Sequence, residues 1–404
     1  MNEGPLLLFQ SVTIDGEDHL PLLHGNGVNR IFDVRIHTPA KLQHLNLTGG
    51  VVAGSGGAIF NEGELTLDHI MISDCRASGG GAIFSEADSR LDINNFRFAH
   101  NESTTSGGAC LLTHGGNYAF SRGTFHGNSA GGGGAISGQG VMLIDRVTFS
   151  DNRANENGGA ISFFDHCSIA NSTISGNSAR RGGGIFHKWG TLSLDHVTIA
   201  HNKAELYFAG VYVEDGEIEA GNSIIADNYG PTGESPVPDP NTVRHPNLNA
   251  ALSVDRGGNL IRGKAFLSPL GNYGGEWQTM VPLNSSPALD IGVSSSHLTD
   301  QRGVVRPVGA APDAGAVERG GFPELEFEAI ANPVVRRADD PDEIDLQSLS
   351  LRHALSVATS GATIHFASNL AGQTLTLTSE LIVRNDIVID GVELPSPVTL
   401  RNGT

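Results

Sequence analysis

One stretch constrains the fold more than any other: between Gly56 and Asn228 the chain says nearly the same thing seven times. Each copy opens on Gly-Gly-Ala-Ile or a variant, runs on in alternating apolar residues and closes on a turn ending in Asn. The openings are GGAIF (56–60), GGAIF (80–84), GGAC (107–110), GGAI (133–136), GGAI (158–161), GGGIF (182–186) and the degenerate AGVYV (209–213). Their second residues fall 24, 27, 26, 25, 24 and 27 positions apart. The closing Asn101, Asn128, Asn152, Asn177, Asn202 and Asn228, with Cys75 in that place in the first copy, keep the same register. A period of this size is the mark of a solenoid.

Within a copy, segments such as Leu65-Thr66-Leu67 and the pairs Ile70/Ile72 or Phe96/Phe98 alternate apolar with polar residues, as half-buried strands do. Three short strands in about 25 residues suit one coil of a β-helix, where each strand pairs with its counterpart one coil away. The chain therefore reads as all-β, a right-handed parallel β-helix. Glycine supplies backbone shapes that a Cβ forbids. The Asn column is expected to stack its amides as a ladder that satisfies buried backbone groups.

Composition excludes several classes. The 53 glycines among 404 residues, without a G-X-Y period, mean turns and not collagen. A net charge of −19 and the lack of a Lys/Arg stripe argue against a nucleic-acid partner. No run is long and apolar enough to span a membrane as a helix. The opening MNEGPLLLFQ shows no signal-peptide pattern. Cys75, Cys110 and Cys167 include no CxxC pair and read as small buried hydrophobes.

Around the repeats, Leu6–Phe9, Val12–Ile14, Ile31–Ile36 and Leu42–Leu47 read as strands of the first coils, so residues 1–230 form the β-helix. Residues 231–320 read as an excursion (Tyr229–Ser253, with five prolines) followed by a C-terminal cap, and 321–345 as a linker. Residues 346–404 read as the start of a second unit: a helix from Leu346 to about Thr359 capped by Asp345, then strands at Thr363–Phe366, Leu375–Leu377, Leu381–Val383 and Ile387–Ile389. The two ends repeat each other. Leu381-Ile382-Val383 and Ile387-Val388-Ile389-Asp390-Gly391 match Leu6-Leu7-Leu8 and Val12-Thr13-Ile14-Asp15-Gly16 at an offset of 375 in both parts. That repetition implies either tandem copies of one unit or head-to-tail self-association.

The GGAI motifs, with Phe98-Ala99-His100-Asn101, Phe125-His126-Gly127-Asn128 and Phe149-Ser150-Asp151-Asn152, resemble the GGA(I/L/V) and FxxN repeats of chlamydial polymorphic outer-membrane proteins. More broadly the chain is similar to bacterial right-handed parallel β-helix surface proteins. Ser286–Asp290, Thr299–Gly303 and Asp313–Glu318 resemble the tail that often ends such helices. Ser350-Leu351-Arg352-His353-Ala354-Leu355 resembles the Ser-Leu-Arg-Glu-Ala-Ile element that often opens them, with His353 at the acidic position. The resemblance implies an extracellular or cell-surface location and an adhesin, passenger or stalk role.

The competing reading is a polysaccharide-binding or polysaccharide-degrading β-helix enzyme. Degradation needs paired or clustered carboxylates on neighbouring coils. The column seven residues before the closing Asn reads Asp68, Asn94, Ser121, Asp145, Ala170, Asp195 and Gly221, with no two neighbours acidic. No HxxxH or HExxH occurs, so no catalytic residue, metal ligand or cofactor is assigned. His187, Trp189 and Tyr207 form the candidate contact for a glycan or a host surface. The expected function is thus a non-enzymatic extracellular structural or adhesive module.

Overall fold

The structure, a computed structural model, describes residues 4–35, 39–230, 247–261, 263–283, 286–320, 332–339, 348–358, 361–377, 387–392 and 394–402. The expected strand Leu381–Val383 and the helix cap Asp345 lie outside those residues. About half of the chain is strand, in about 14 parallel turns of some 25 residues, with one short α-helix. The chain forms two compact units, 1–265 with 275–277 and 287–321, and 266–274 with 278–286 and 322–404. The segments 266–274 and 278–286, placed with the cap on sequence grounds, thus group with the C-terminal unit.

In the first unit every coil lays the same residue on the same column. Leu6, Phe32, Ile59, Ile83, Cys110, Ile136, Ile161, Ile185 and Val211 are successive parallel partners. The first two belong to the irregular N-terminal stretch, which is therefore the start of the same solenoid. Leu42, Leu67, Ile93, Phe120, Ile144, Ile169 and Leu194 form a second column. From Phe32 and Leu42 onward both columns are buried and belong to one continuous apolar core. Where Phe96 and Phe125 crowd together at 5.0 Å between centroids, the column allows Gly123: a Cβ there would stand 2.3 Å from the Phe96 ring.

Between the second column and a third, Leu45, Ile70, Phe96, Gly123 and Val147, the strand turns a corner. Glu64–Ser73, Arg90–Ala99 and Asn117–His126 run through it. Their register skips His69, Asn95 and Arg122, which adopt left-handed backbone (φ 49°, 50° and 52°). Arg146, Asn171, His196 and Asn222 repeat this at 58°, 43°, 53° and 50°. Asn and His tolerate that region better than most residues, which explains a column that looked merely polar in sequence. The segments after the closing Asn also pair: Arg76–Gly79, Glu102–Ser106, Ser129–Gly132, Arg153–Asn157, Ser178–Arg181 and Lys203–Tyr207 form their own six-stranded sheet. Two glycines turn the chain at the start of each of the six regular repeats. Gly80 has φ +61°, and a Cβ on Gly81 would lie 2.2 Å from the Gly108 carbonyl.

The stretch read as an excursion ends sooner than expected. Leu248 bridges to Val211, Val254–Asp255 pairs with Glu219–Ala220, and Leu260 bridges to Ile224, so residues 247–261 make a further coil. Residues 287–320, read as part of a cap, run instead along the flank of the coils. Val293, Ser295, His297 and Thr299 bond in turn to Asn222 (2.7 Å), His196 (3.0 Å), Asn171 (3.3 Å) and Arg146 (2.5 Å). Two residues of strap advance one coil. Two fully extended residues would span about 6.6 Å, more than the roughly 4.8 Å between coils, so a chain that meets one coil every two residues advances less than a fully extended one along the stacking direction.

The second unit holds the parallel sheet Val334–Val335, Thr363–Phe366 and Val388–Asp390, the pair Thr374–Leu377 and Thr399–Asn402, and one helix, Leu351–Val357. The helix starts later than expected. Ser350 caps it by accepting the His353 N–H at 3.2 Å, and Leu349 is engaged in a bridge to Val335. Leu351, Ala354 and Leu355 pack with Val335, Ile364, Leu375 and Tyr273.

Candidate functional site

The six predicted ladder residues are stacked and buried. In Asn152, Oδ1 accepts the Asn128 N–H (3.0 Å) and side-chain amide (2.9 Å), while Nδ2 donates to the Phe125 carbonyl and to Asn177 Oδ1, both at 2.9 Å. Asn101, Asn128, Asn177, Asn202 and Asn228 repeat the arrangement. Their amides are spent on the coil itself and offer nothing to a ligand. At the lower end Cys75 donates its N–H to Asn101 Oδ1 at 3.1 Å. At the upper end Asn247 accepts from the Asn228 N–H and amide at 3.1 Å, a seventh rung. Sequence missed it because Asn247 stands 19 residues on, off the repeat spacing.

The three candidate contact residues separate. His187 is fully buried, not exposed. It pairs with Phe163 and Val213 two positions after inward-facing Ile185, and the two-residue period of a strand turns it inward too. Burial pushes its imidazole down, against weaker opposition from the Gly190 backbone and Asp165. Neither ring nitrogen has a hydrogen bond of good geometry. Its neighbour Phe186, on the opposite side of the same strand, is buried too, against Tyr212 and the Arg181 guanidinium.

Trp189 and Tyr207 stand at opposite ends of one file of rings. Tyr207 to Tyr212 is 6.0 Å between centroids, Tyr212 to Phe186 5.6 Å, Phe186 to Phe164 6.5 Å, and Phe164 to Trp189 5.1 Å. Trp189 is 41% exposed. Lys188 Nζ lies 5.5 Å from its ring centroid, and Arg181 lies 5.5 Å from that of Phe186. Both cations turn to Glu214, at 3.6 and 3.7 Å. Beside the file Phe208 holds a left-handed φ of 34°, where the six regular coils use the first Gly of their motif. A bulky residue there is strained. The break in the repeat and the aromatic file therefore coincide.

Trp189 is exposed, Phe164, Tyr207 and Tyr212 are half-buried and Phe186 is buried, so the apolar surface that the file offers for contact is interrupted at its central ring. Among the described residues no group of three or more His, Cys, Asp or Glu is placed to hold a metal ion. The strap has a charged network of its own. Arg306 Nη1 meets Glu318 Oε2 at 3.0 Å, and the Glu318 carboxylate also accepts the Val308 and Asp313 N–H groups at 2.8 and 3.1 Å. Burial pushes Asp313 up to about 6. Beneath the strap, burial and then the Arg306 charge push His196 down to about 3. Arg306, Glu318 and Asp313 tie the strap to itself, and His196 ties it to the coils through Ser295. Cys75, Cys110 and Cys167 are free thiols, buried and pushed up by burial, Cys75 to about 12.

Fold and repeat together define a parallel β-solenoid whose recurring residues are scaffold. Residues 146–163 match the family model of the Chlamydia polymorphic membrane protein (Chlamydia_PMP) repeat, a span that takes in Phe149, Asn152 and the Gly158–Ile161 motif. The match and the solenoid fit a β-helix surface protein of the chlamydial polymorphic type. No curated protein and no solved structure matches the chain. Among the described residues no helix is long and apolar enough to cross a membrane, which leaves strand-built spans unaddressed.

Proposed function

We propose that this chain is an extracellular structural or adhesive module, non-enzymatic, that holds a contact surface on a stiff β-solenoid. The ladder carries this reading. The residues that recur most strictly are consumed in hydrogen bonds between coils, so repetition has fixed a scaffold and not a reaction. The polymorphic membrane protein repeat at 146–163 supports a surface setting.

The aromatic file favours a second reading, in which the module binds a polysaccharide through ring stacking. A panel of immobilised glycans and cell surfaces tests both together. Adhesion is expected without release of sugar fragments, and Trp189→Ala should weaken it if the file is the contact. Turnover of any glycan that is abolished by one Asp or Glu substitution would replace the proposal with an enzyme.

A further inference from the structure

The strap covers only part of the flank. Where it runs, it meets the corner residues Asn222, His196, Asn171 and Arg146 in turn, two residues to a coil. Just past the corner it seals a column of threonines. Gln301 donates to Thr148 at 2.8 Å and accepts from Thr173 at 2.6 Å, and Thr198 accepts the Ala316 N–H at 2.9 Å. All three threonines are buried, although they alternate with core residues and so leave the outer face of their strands.

Both columns continue onto the earlier coils without the strap. Arg122, Asn95 and His69 hold the same left-handed corner as Arg146 and Asn171. Thr124, Arg97 and Met71 follow Thr148 as parallel partners. Arg122, Arg97, His69 and Met71 are exposed. Arg122 donates to Asn94 Oδ1 at 3.2 Å, and among the described residues neither Arg122 nor Arg97 meets a carboxylate. The stretches 93–101 and 117–128, which carry these two arginines, contain no acidic residue in a chain of net charge −19. His100 and His126 lie further along the same two coils, with ring centroids 5.4 Å apart.

We propose that this open part of the flank binds an extended acidic segment of a partner protein, laid along the coils as the strap is. Continuity selects a polypeptide: the surface extends one that already takes a chain at two residues per coil. Charge selects an acidic one, because the unmatched groups are guanidiniums, which accept carboxylates as bidentate partners. Arg122 and Arg97 stand on consecutive coils. The segment therefore carries two acidic side chains two positions apart, one toward Arg122 and the next toward Arg97, with the residue between them facing outward. Met71 on the following coil suits an apolar residue two positions further on. The proposal adds a polypeptide partner to the structural-module reading and rests on that reading for the scaffold alone.

The test uses the full chain and a short labelled peptide that alternates Glu with Thr. Fluorescence anisotropy at low salt should show it bound, and the double variant Arg97→Thr with Arg122→Asn should weaken binding about tenfold. The same columns already use these residues, at Thr124 and Asn95, so the coils keep their fold. A peptide of equal composition with its glutamates in adjacent pairs never sets two of them two positions apart, and should bind the native chain as weakly. Equal binding of the two peptides overturns the strap-like register. An alternating peptide that stays free, or that binds the double variant as well as the native chain, overturns the proposal. Polygalacturonate held by both arginines while the peptide stays free replaces the polypeptide with a polysaccharide. Protection of both arginines from phenylglyoxal in the chain alone shows the surface already filled and overturns the proposal too. The adhesion panel uses no peptide, so it judges the surface-module reading separately.

Discussion

In the coils between Asn101 and Asn228 each ladder asparagine is answered by the same residue one coil away. Along the flank, between Ile291 and Gly320, Arg306 is answered instead by Glu318 and by the Gly315 and Asp313 carbonyls, each met once. Both regions satisfy buried groups, but the coils use neutral amides in series while the strap uses unlike charges, Arg306 with Glu318 and Arg302 with Asp300. The coils can lengthen or shorten by a turn and keep their chemistry. The strap is written for one set of coils. Redundancy and specificity have been assigned to different parts of one unit.

The largest test of that contrast is Arg306→Met. It leaves the Glu318 carboxylate buried with its counter-charge gone, a change that costs about 3–5 kcal/mol. The loss should fall on the strap, seen as faster hydrogen exchange at the Val308 and Asp313 amides, with coil amides such as that of Asn152 unmoved. Adding Glu318→Gln, which is neutral and keeps an amide oxygen as acceptor for these N–H groups, should return part of the protection. Uniform loss across coils and strap would show that the two are one cooperative element. Asn152→Ala comes next. It strips the Asn128 N–H and amide of their acceptor and the Phe125 carbonyl of its donor, for roughly 3 kcal/mol. Denaturant unfolding should register it globally, since rungs on both sides share the ladder.

The same contrast explains what could be read from sequence. The ladder and the apolar columns were legible because each is a residue type repeated at one spacing. The left-handed corner was half legible, since His69, Asn95 and Asn171 share a conformation but not an identity. The strap was not, because its partners differ at every step: Val293 with Asn222, Ser295 with His196, Thr299 with Arg146. His187 was misplaced for a simpler reason. Its neighbours Lys188 and Trp189 suggested a surface, while the two-residue period from Ile185 already pointed inward. Asn247 was missed because backbone geometry, not chain spacing, completes the rung.

Acid should separate the two regions further. His196 is held neutral, so between its ordinary value of 6.5 and about 3 the unfolded chain takes a proton that the folded chain refuses. Stability from this group is present above pH 6.5 and is lost as pH falls, by roughly 2 kcal/mol at about pH 5. Asp313 works the other way: pushed up to about 6, it favours the folded state as acid protonates it. His196→Asn, which keeps a residue that the same corner uses at Asn171 and Asn222, should flatten the acid loss. A melting temperature whose fall with acid is unchanged by the substitution would place the acid sensitivity elsewhere.

The smallest effect asks whether the ladder is as interchangeable as the comparison requires. Cys75 occupies a rung and already donates its N–H to Asn101 Oδ1, while Gly50 N–H reaches only its sulfur, at 3.4 Å. An amide in that place would give Gly50 an oxygen acceptor and Asn101 Oδ1 a second donor, as at every later rung. Cys75→Asn should therefore stabilise the chain, by about 1 kcal/mol for the hydrogen bonding gained. Its unfolding midpoint should rise while the slope with denaturant stays fixed. A fall would mean that the first coil is shaped to the thiol, and that the series has a terminal residue of its own. That would make the lower end of the ladder as particular as the strap.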